Sequence, residues 1–309
     1  MPSSRLQIAR KILSNLQEAQ KKMKTKITII TGPTCCGKTS ASIDIAEKIG
    51  GEIISCDSVL VYKGMDIGSA KPTVQERKGI THHLIDVADV SQKFDVSQYI
   101  EHSKKALQDI LEKGKHPIIV GGSGFYLKAW FSAVTDDLKI PDNVKALADK
   151  IEAESGAEGL KQALLKIDPD APQSVDILNP RRVKNAFQRC TASGKTSAEL
   201  LADFKKLPCP LGDFERDLTI LDYPDDILFP RIKERTKQMI SSGIIDETKA
   251  LIERGLLENI SASTAIGYRE TIEFIQQNKS DQTELLEQIY ANTIALVRKQ
   301  RKFFRNSLK

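Results

Sequence analysis

The sequence predicts an α/β protein with a parallel sheet core, an inserted all-helical domain and a helical C-terminal region. Short β-branched runs alternate with helical periods up to about residue 135, and this alternation indicates parallel strands joined by right-handed crossovers. No strand pattern occurs between residues 136 and 207. One further strand pattern lies near residue 218, and the remaining chain is helical in period.

The elements before the insertion are bounded by turns and glycines. Gly50-Gly51 ends the first helical period and Gly114 ends the second, as glycine commonly does at helix ends. The intervening runs are short and rich in isoleucine, which is typical of buried strands. The predicted order is strand Thr28–Thr31, helix Lys38–Ile49, strand Glu52–Cys56, helix Ser97–Lys113 and strand Pro117–Val120.

The insertion and the C-terminal region are predicted from helical periods and turn residues. Asp168-Pro169-Asp170 is one of the turns that separate the periods. Pro208-Cys209-Pro210 marks the return to the sheet at strand Leu218–Leu221, and Pro230 suits a first helical position. The predicted helices are Asn143–Glu154, Ala157–Lys166, Pro180–Cys190, Ser197–Lys206, one from Pro230, and a long one from about Gln282 to Phe304.

This order predicts three regions. Residues 25–135 and 208–309 form the sheet core, and residues 136–207 form the helical domain. Residues 1–24 read as a basic amphipathic extension. An organelle transit segment and an upstream start before Met23 remain open as alternatives for this extension.

Composition excludes several classes of protein. The chain has 309 residues, of which 40% are hydrophobic and 28% charged, as in an ordinary globular protein and unlike a disordered one. No apolar run approaches the roughly 18 residues that span a bilayer, so we expect no membrane partner. Five cysteines without a CxxC pair, and only four histidines, build no zinc site and indicate a reducing compartment, so we expect a cytoplasmic protein.

The positive charge is concentrated at the two ends of the chain. Residues 1–26 carry a net charge of +6 and residues 298–309 another +6, so the total of +5 leaves −7 for residues 27–297. This asymmetry indicates a polyanionic partner unless the terminal helices are simply solvated.

The segment Gly32-Pro33-Thr34-Cys35-Cys36-Gly37-Lys38-Thr39 fits the pattern GxxxxGK[ST]. Its place between a predicted strand and a predicted helix identifies a P-loop, so we expect a P-loop-containing parallel sheet. Successive backbone N–H groups, the helix N-terminus and the Lys38 ammonium group would hold a di- or triphosphate. Thr39 is placed to bind Mg²⁺.

Asp57 is the acidic residue that we expect nearest to the P-loop. It follows strand Glu52–Cys56, which we expect to neighbour the loop strand, and the carboxyl ends of parallel strands line the ligand crevice. Three roles remain open for it: a water-mediated Mg²⁺ partner, a general base, or a cap of the next turn. Strand Pro117–Val120 ends in Gly121-Gly122 rather than a carboxylate, which disfavours an ATPase and indicates a close approach of backbone or substrate.

Further motifs follow in a defined order. Together with the P-loop they resemble the tRNA dimethylallyltransferase family over roughly residues 25–305. The resemblance is to the compact bacterial form, so we expect no zinc-finger extension after Lys309. The motifs are Asp57 to Pro72, His82 to Asp86, Gly121 to Ala129, Asn179 to Val183, Arg231 to Arg235, Ala265 to Glu270 and Arg298 to Gln300.

The resemblance implies a prenyl transfer. A dimethylallyl group would move from dimethylallyl diphosphate, bound with Mg²⁺, to the exocyclic amine of the adenosine at position 37 of tRNA, beside the anticodon. Gly32 to Thr39 would hold the diphosphate, Thr34 and Arg235 would stabilise the departing pyrophosphate, and Asp57 would accept the amine proton. The expected partners are the tRNA anticodon stem-loop and the donor, with the protein as a monomer.

The resemblance also implies which residues contact tRNA, in the helical insertion and in the core. We expect phosphate contacts from Arg181 and Arg182 and from the last helix, whose candidates are Arg298, Lys299, Arg301, Lys302 and Arg305. The residues implied by the resemblance are Asp57, Ser58, Val59, Leu60, Ser123, Arg181, Arg182, Val183, Lys184, Asn185, Thr264, Ala265, Ile266, Gly267, Tyr268 and Arg269.

Some alternatives remain open at this point. An adenylate dimethylallyltransferase performs the same chemistry on a free nucleotide, and a P-loop kinase shares only the loop. Arg231 shares a helix face with Arg235 and is either catalytic or a packing residue. Tyr268 and Phe125 either stack on bases or belong to the core. Cys35 stands where the family often has a small residue, so a thiol there predicts sensitivity to oxidants.

Overall fold

The computed structural model describes residues 25–308, so the predicted extension 1–24 lies outside the described residues. The chain forms two compact units. One is the segment Phe131–Pro210, which contains the predicted insertion 136–207, and the other holds the rest of the described chain. No helix within residues 25–308 is both long enough and apolar enough to cross a membrane.

The first unit is built on a five-stranded sheet in which every strand pair is parallel. The strand order across the sheet is β3-β2-β4-β1-β5. This confirms the predicted α/β class with a parallel sheet. The strands are β1 (Lys26–Thr31), β2 (Gly51–Ser55), β3 (His82–His83), β4 (His116–Val120) and β5 (Glu215–Ile220).

The strand before Asp57 does not neighbour the P-loop strand, so that expectation was wrong. β4 lies between β1 and β2 and pairs with both. The chain can pass close to the end of β2 just after β4 because Gly121 has no side chain. A Cβ at Gly121 would lie 2.0 Å from the Cys56 carbonyl oxygen. All the strands are parallel, so the P-loop, Asp57 and Gly121 still follow carboxyl ends at one edge of the sheet.

Helices pack against this sheet and against each other. The helix that follows the P-loop contributes Ile43 and Ala46 to a core with Ile30, Ile53 and Ile118 of the sheet. The helices of this unit are α1 (Lys38–Ile49), α2 (Val96–Glu112), α3 (Gly124–Lys128), α7 (Asp225–Ser241), α8 (Ile244–Glu253), α9 (Ile260–Ser263), α10 (Tyr268–Gln276) and α11 (Gln282–Ser307).

Pro230 does not begin a helix, contrary to the prediction. α7 begins at Asp225 and contains Pro230 in its interior. A proline there removes one backbone hydrogen bond, but Leu228 and Ile232 on either side of it are fully buried, and that burial offsets the loss. Two acidic residues in the first turn, Asp225 and Asp226, favour the earlier start.

The second unit is helical throughout its regular structure. Its first helical segment, α4 (Asp142–Ile167), is interrupted at Gly156, where the backbone is non-helical with a φ of +63°, so it consists of two helices as predicted. Its core contains Leu160, Leu164 and Phe187. Its other helices are α5 (Pro180–Ser193) and α6 (Ser197–Phe204), with a short 3₁₀ turn at Ala171–Gln173.

Candidate active site at the carboxyl edge of the sheet

The P-loop connects β1 to α1 in a conformation that depends on glycine. Gly32 has a φ of +151°, and a Cβ at this position would lie 2.0 Å from the Leu221 carbonyl oxygen. Gly37 adopts the left-handed conformation directly before α1 begins at Lys38. Cys35 also has a positive φ, of 64°, which is uncommon for a residue with a side chain. The loop therefore lies close to the sheet edge and ends at a helix N-terminus, where anions bind.

Lys38 folds back over the loop. Its ammonium group donates hydrogen bonds to the carbonyl oxygens of Gly32 at 2.9 Å and Pro33 at 2.6 Å. Burial lowers the pKa of Lys38, the negative charge of Asp57 opposes that change, and the positive charge of Arg235 adds to it. Asp57 and Arg235 are therefore both close enough to Lys38 to influence its charge.

The two P-loop thiols have different surroundings. Cys36 is buried against Leu228, Ile232 and Val297 of α7 and α11, and burial raises the pKa of its thiol. Cys35 is half-buried and lines the cavity described below. Cys36 thus joins the loop to the core, whereas Cys35 faces the site.

Asp57 is oriented by its own turn. Its Oδ1 accepts hydrogen bonds from the backbone N–H groups of Val59 at 2.8 Å and Leu60 at 3.4 Å. Within residues 25–308 no hydrogen bond involves Oδ2, and the half-buried side chain lines the cavity. The turn cap that the sequence left open as an alternative is thus present, and it leaves one carboxylate oxygen for chemistry.

A cavity of about 1160 Å³ opens at this edge of the sheet. Its wall comes from the P-loop, the segment after β2, α7, the segment before α10, and α11. Gly32, Pro33 and Cys36 are not among the residues that line it, and neither is Ser123, which directly precedes α3. The predicted residues that line the cavity are Thr34, Cys35, Gly37, Lys38, Thr39, Asp57, Ser58, Val59, Leu60, Arg235, Thr264, Ala265, Ile266 and Arg269.

Arg231 and Arg235 both reach the cavity from α7. The Arg231 guanidinium lies over the Tyr223 ring, 4.5 Å from its centre, and such cation–π contacts hold a side chain in place. The structure thus gives Arg231 a packing contact, while Arg235 is close enough to influence Lys38 electrostatically.

Tyr268 and Phe125, the two aromatic candidates for base stacking, have different surroundings in the structure. The Tyr268 side chain is fully buried, its ring packs where a Cβ on Gly68 would lie, and its hydroxyl donates to Glu247 at 2.7 Å. Of the two roles left open for Tyr268, the structure therefore shows the packing role: burial leaves no ring face for a base. Phe125 is 71% exposed, so its ring is not part of the core.

Two glutamates that the sequence did not single out hold the cavity wall. The Glu247 carboxylate accepts the backbone N–H groups of Asp66, Ile67 and Gly68 at 2.7 to 3.2 Å, in addition to the Tyr268 hydroxyl. The buried Glu270 accepts from the Gly267 N–H at 2.7 Å. A Glu three residues after the helix start is a capping signal, but nothing in the sequence pairs Glu247 with a loop about 180 residues before it.

The predicted tRNA contacts of the second unit lie at the start of α5. Arg181, Arg182 and Asn185 are exposed, with Arg182 paired to Asp176. Val183 is buried in the core of this unit, which corrects the expectation of a tRNA contact by its side chain. Lys184 pairs with Asp149 and Glu152 on α4.

The basic residues of α11 also include both exposed residues and one that is held by ion pairs. Arg298, Lys299, Lys302 and Arg305 are exposed. The Arg301 guanidinium instead contacts Asp222 at 2.8 Å, the Tyr223 carbonyl at 2.6 Å and also Asp225, and these carboxylates raise its pKa. Arg301 therefore ties α11 to the segment after β5, and its guanidinium is engaged by carboxylates rather than free for RNA phosphate.

The residues at the P-loop suit a metal ion that arrives with a phosphate ligand. Thr39 is exposed and lines the cavity, and within the described chain no group of three or more His, Cys, Asp or Glu residues could hold a metal. Mg²⁺ commonly combines few protein ligands with water and substrate phosphate oxygens. The Thr39 hydroxyl fits that use.

Comparisons with known proteins agree on one family. A family model described as IPP transferase matches residues 60–307. The tRNA dimethylallyltransferase of Opitutus terrae is 42% identical over 285 residues, covering 92% of this chain and 91% of the relative. The tRNA isopentenylpyrophosphate transferase structure from Bacillus halodurans has 32% identity and a TM-score of 0.64, and the match covers 92% of this chain and 87% of that structure. The structure of a eukaryotic dimethylallyltransferase that acts on tRNA has 26% identity and a TM-score of 0.78, and the match covers 91% of this chain and 70% of that structure.

Proposed function

Since the chain belongs to the tRNA dimethylallyltransferase family, we propose that it transfers a dimethylallyl group from dimethylallyl diphosphate to a tRNA adenosine. The acceptor is the exocyclic amine at position 37, beside the anticodon, and diphosphate is released. The observation that carries this proposal is that the P-loop, Asp57 and Arg235 border one cavity. One wall binds an anion, and a carboxylate lies within electrostatic range of it.

The P-loop side of the cavity supplies the leaving-group chemistry. Allylic carbon tolerates positive charge, so the barrier falls chiefly through stabilisation of negative charge on the departing diphosphate. Lys38, the loop N–H groups, the Thr34 hydroxyl and Arg235 are the donors proposed for that charge. Thr39 is the proposed Mg²⁺ ligand, and the bound ion adds positive charge beside the diphosphate.

Asp57 is the proposed general base. An adenine amino group is a weak nucleophile because its lone pair is delocalised into the ring, so removal of its proton as the new carbon–nitrogen bond forms assists the reaction. The turn that holds Oδ1 of Asp57 aims the carboxylate without consuming Oδ2. The proton passes from the amine nitrogen to the carboxylate, and the diphosphate leaves with the electron pair of the broken carbon–oxygen bond.

The acceptor adenosine must leave its loop stack to reach Asp57, which costs a few kcal/mol and less in an unpaired loop. We propose that Arg181, Arg182 and Asn185 bind the tRNA backbone, and that Ser58, Val59 and Leu60 contact the adenosine beside Asp57. Thr264, Ala265, Ile266 and Arg269 form the neighbouring contact surface. We further propose that the protein acts as a monomer in the cytoplasm.

A direct assay tests the proposal. The pure protein is incubated with dimethylallyl diphosphate, Mg²⁺ and either an anticodon stem-loop RNA or AMP, and the products are analysed by mass spectrometry. We expect modification of the stem-loop adenosine at position 37 and none of AMP. Modification of AMP alone would assign the chain to nucleotide prenylation instead. In a parallel incubation with ATP in place of the prenyl donor, transfer of the γ-phosphate would indicate a kinase.

A further inference from the structure

Gln300 connects three segments at the carboxyl edge of the sheet. Its Oε1 accepts a hydrogen bond from the backbone N–H of Thr34 at 3.0 Å, and its Nε2 donates to the Gly122 carbonyl oxygen at 3.1 Å. The side chain is half-buried and lines the cavity. A single amide thus joins α11, the P-loop and the turn after β4, because an amide accepts and donates at the same end of the side chain.

The surrounding backbone is shaped to admit this amide. A Cβ on Gly122 would lie 2.6 Å from the Gln300 Nε2 and 3.1 Å from the Gly32 carbonyl oxygen. Any side chain at 122 would therefore displace the Gln300 amide from between the two segments. The sequence predicts a close approach of backbone or substrate at Gly122. In the structure the group that comes close to Gly122 is the side-chain amide of Gln300.

The contact changes which groups of the P-loop face a ligand. The Thr34 N–H is directed to Gln300, so it is not among the loop N–H groups that converge on a phosphate. The Thr34 side chain still lines the cavity. The Thr34 hydroxyl, which lies 3.9 Å from the Cys35 Sγ, is then the polar group of Thr34 that a diphosphate could contact.

We infer that Gln300 is a positioning residue for the donor diphosphate. It fixes the backbone of the P-loop at Thr34 against the turn after β4, and Thr34 lines the cavity. It also ties this loop to α11, where the neighbouring Lys299 lines the same cavity. The inference rests on the proposed function only for the identity of the diphosphate as that of a prenyl donor.

The Gln300→Glu variant tests the inference by its pH dependence. When ionised, the carboxylate introduced at this position has two acceptor oxygens, so it keeps the Thr34 hydrogen bond and places an oxygen against the Gly122 carbonyl. When protonated, it carries one O–H donor and restores both contacts. Facing a carbonyl favours the protonated form and raises the pKa of the new carboxyl group above the ordinary value near 4.3.

The measurement is the affinity for magnesium pyrophosphate by calorimetry, which requires no transfer reaction. At pH 8 we expect Gln300→Glu to bind about tenfold more weakly than the wild-type protein. At each pH we take the ratio of the affinity of Gln300→Glu to that of the wild-type protein, so that the effect of pyrophosphate protonation cancels. We expect this ratio to approach one as the pH falls to 5.5. Gln300→Met, which has a similar length and lacks both hydrogen bonds, is expected to bind about tenfold more weakly at every pH.

Gln282→Glu is the matched control, because it makes the same charge change at an exposed position of α11 and is expected to bind like the wild-type protein throughout. A pH-independent ratio for Gln300→Glu, or wild-type affinity for Gln300→Met, would overturn the inference. A wild-type protein that binds pyrophosphate but transfers no dimethylallyl group would overturn the proposed function and leave the role of Gln300 standing.

Discussion

Individual side chains at the P-loop show how much of this site is set by charge. Lys38 has a lowered pKa because it is buried, and the opposite charges of Asp57 and Arg235 influence it in opposite directions. The ammonium group is held by two loop carbonyls. A diphosphate would replace these partners with stronger, charge-assisted ones, so the residue that stabilises the loop is also the one that we propose binds the donor.

Arg235 and Arg231 allow a comparison of two arginines on one helix. Replacing Arg235 with Ala removes a fixed positive charge from the leaving-group side of the cavity, and we expect kcat to fall about a hundredfold. Arg231→Ala removes a cation that lies over Tyr223, and we expect kcat within about threefold of the wild-type value. Steady-state kinetics at saturating tRNA checks both values, and equal losses in the two variants would contradict the assignment.

Glu52 provides a residue-scale prediction about stability. Burial alone raises the pKa of this carboxyl group, but hydrogen bonds from Lys115, His83 and Lys113 outweigh that effect and lower it to about 2. A carboxyl group with a lowered pKa in the folded state stabilises the protein above its unfolded pKa, and the contribution is lost as the pH falls toward 2.

We therefore expect Glu52→Gln to reduce the free energy of unfolding by about 2 to 3 kcal/mol at pH 7. The difference from the wild-type protein should shrink steadily between pH 4.5 and pH 2. Urea unfolding at a series of pH values measures it. A difference that does not change with pH would show that the charge of Glu52 contributes nothing to stability.

At the scale of elements, sequence reasoning succeeded where local signals agree and failed where distant segments decide. The bounds of α1 match the prediction at both ends, since glycine turns flank a clear helical period. The position of β4 between β1 and β2 has no local signal, because strand order depends on crossover paths. Pro230 was misplaced because the burial of its neighbours, a tertiary effect, outweighs its local preference.

In the candidate site, too, the features with a local sequence signal were predictable and the contacts between distant segments were not. The P-loop and Asp57 were predictable from motif and strand position, and the structure brings them to one cavity. The supporting contacts were not predictable. Glu247 and Gln300 act on backbone groups that are 178 or more residues away in sequence, and no spacing rule connects such pairs.

Glu247 gives the prediction at this scale. The Glu247 carboxylate holds the backbone of residues 66–68, next to cavity-lining residues such as Ala70. Glu247→Gln places an amide NH₂ group against N–H donors, so that loop loosens. We expect KM for tRNA to rise about tenfold while KM for dimethylallyl diphosphate stays within about twofold.

Glu253→Gln, an exposed change on the same helix α8, is the matched control and is expected to keep both KM values. Initial rates with each substrate varied in turn supply the measurement. If Glu247→Gln raised both KM values equally, its effect would be a general loss of structure rather than displacement of the loop of residues 66–68.

At the scale of the whole molecule, the charge distribution supports binding of a polyanion. The chain has a net charge of +5, with its basic residues concentrated near the ends. On α11 the exposed cations Arg298, Lys299, Lys302 and Arg305 remain available to a phosphate backbone, whereas Arg301 is paired with two carboxylates. Affinity for tRNA should therefore fall steeply with salt concentration.

The slope of that salt dependence separates the two kinds of arginine. For Arg298→Ala, we expect the slope of log K against log[salt] to decrease in magnitude by about 1. Arg301→Ala should leave the slope unchanged and lower the melting temperature, because it removes the contacts to Asp222 and Asp225. Filter binding of tRNA at several salt concentrations measures the slopes, and a salt-independent affinity would remove the electrostatic basis of the tRNA proposal.

The most direct test of the central claim is a single-turnover transfer experiment with Asp57→Asn. The enzyme in excess is mixed with tRNA and dimethylallyl diphosphate, and the modified adenosine is followed over time by mass spectrometry. We predict a transfer rate at least about a hundredfold below that of the wild-type protein, with tRNA and pyrophosphate affinities unchanged. Transfer by Asp57→Asn at the wild-type rate would contradict the proposal that this carboxylate accepts the proton of the attacking amine.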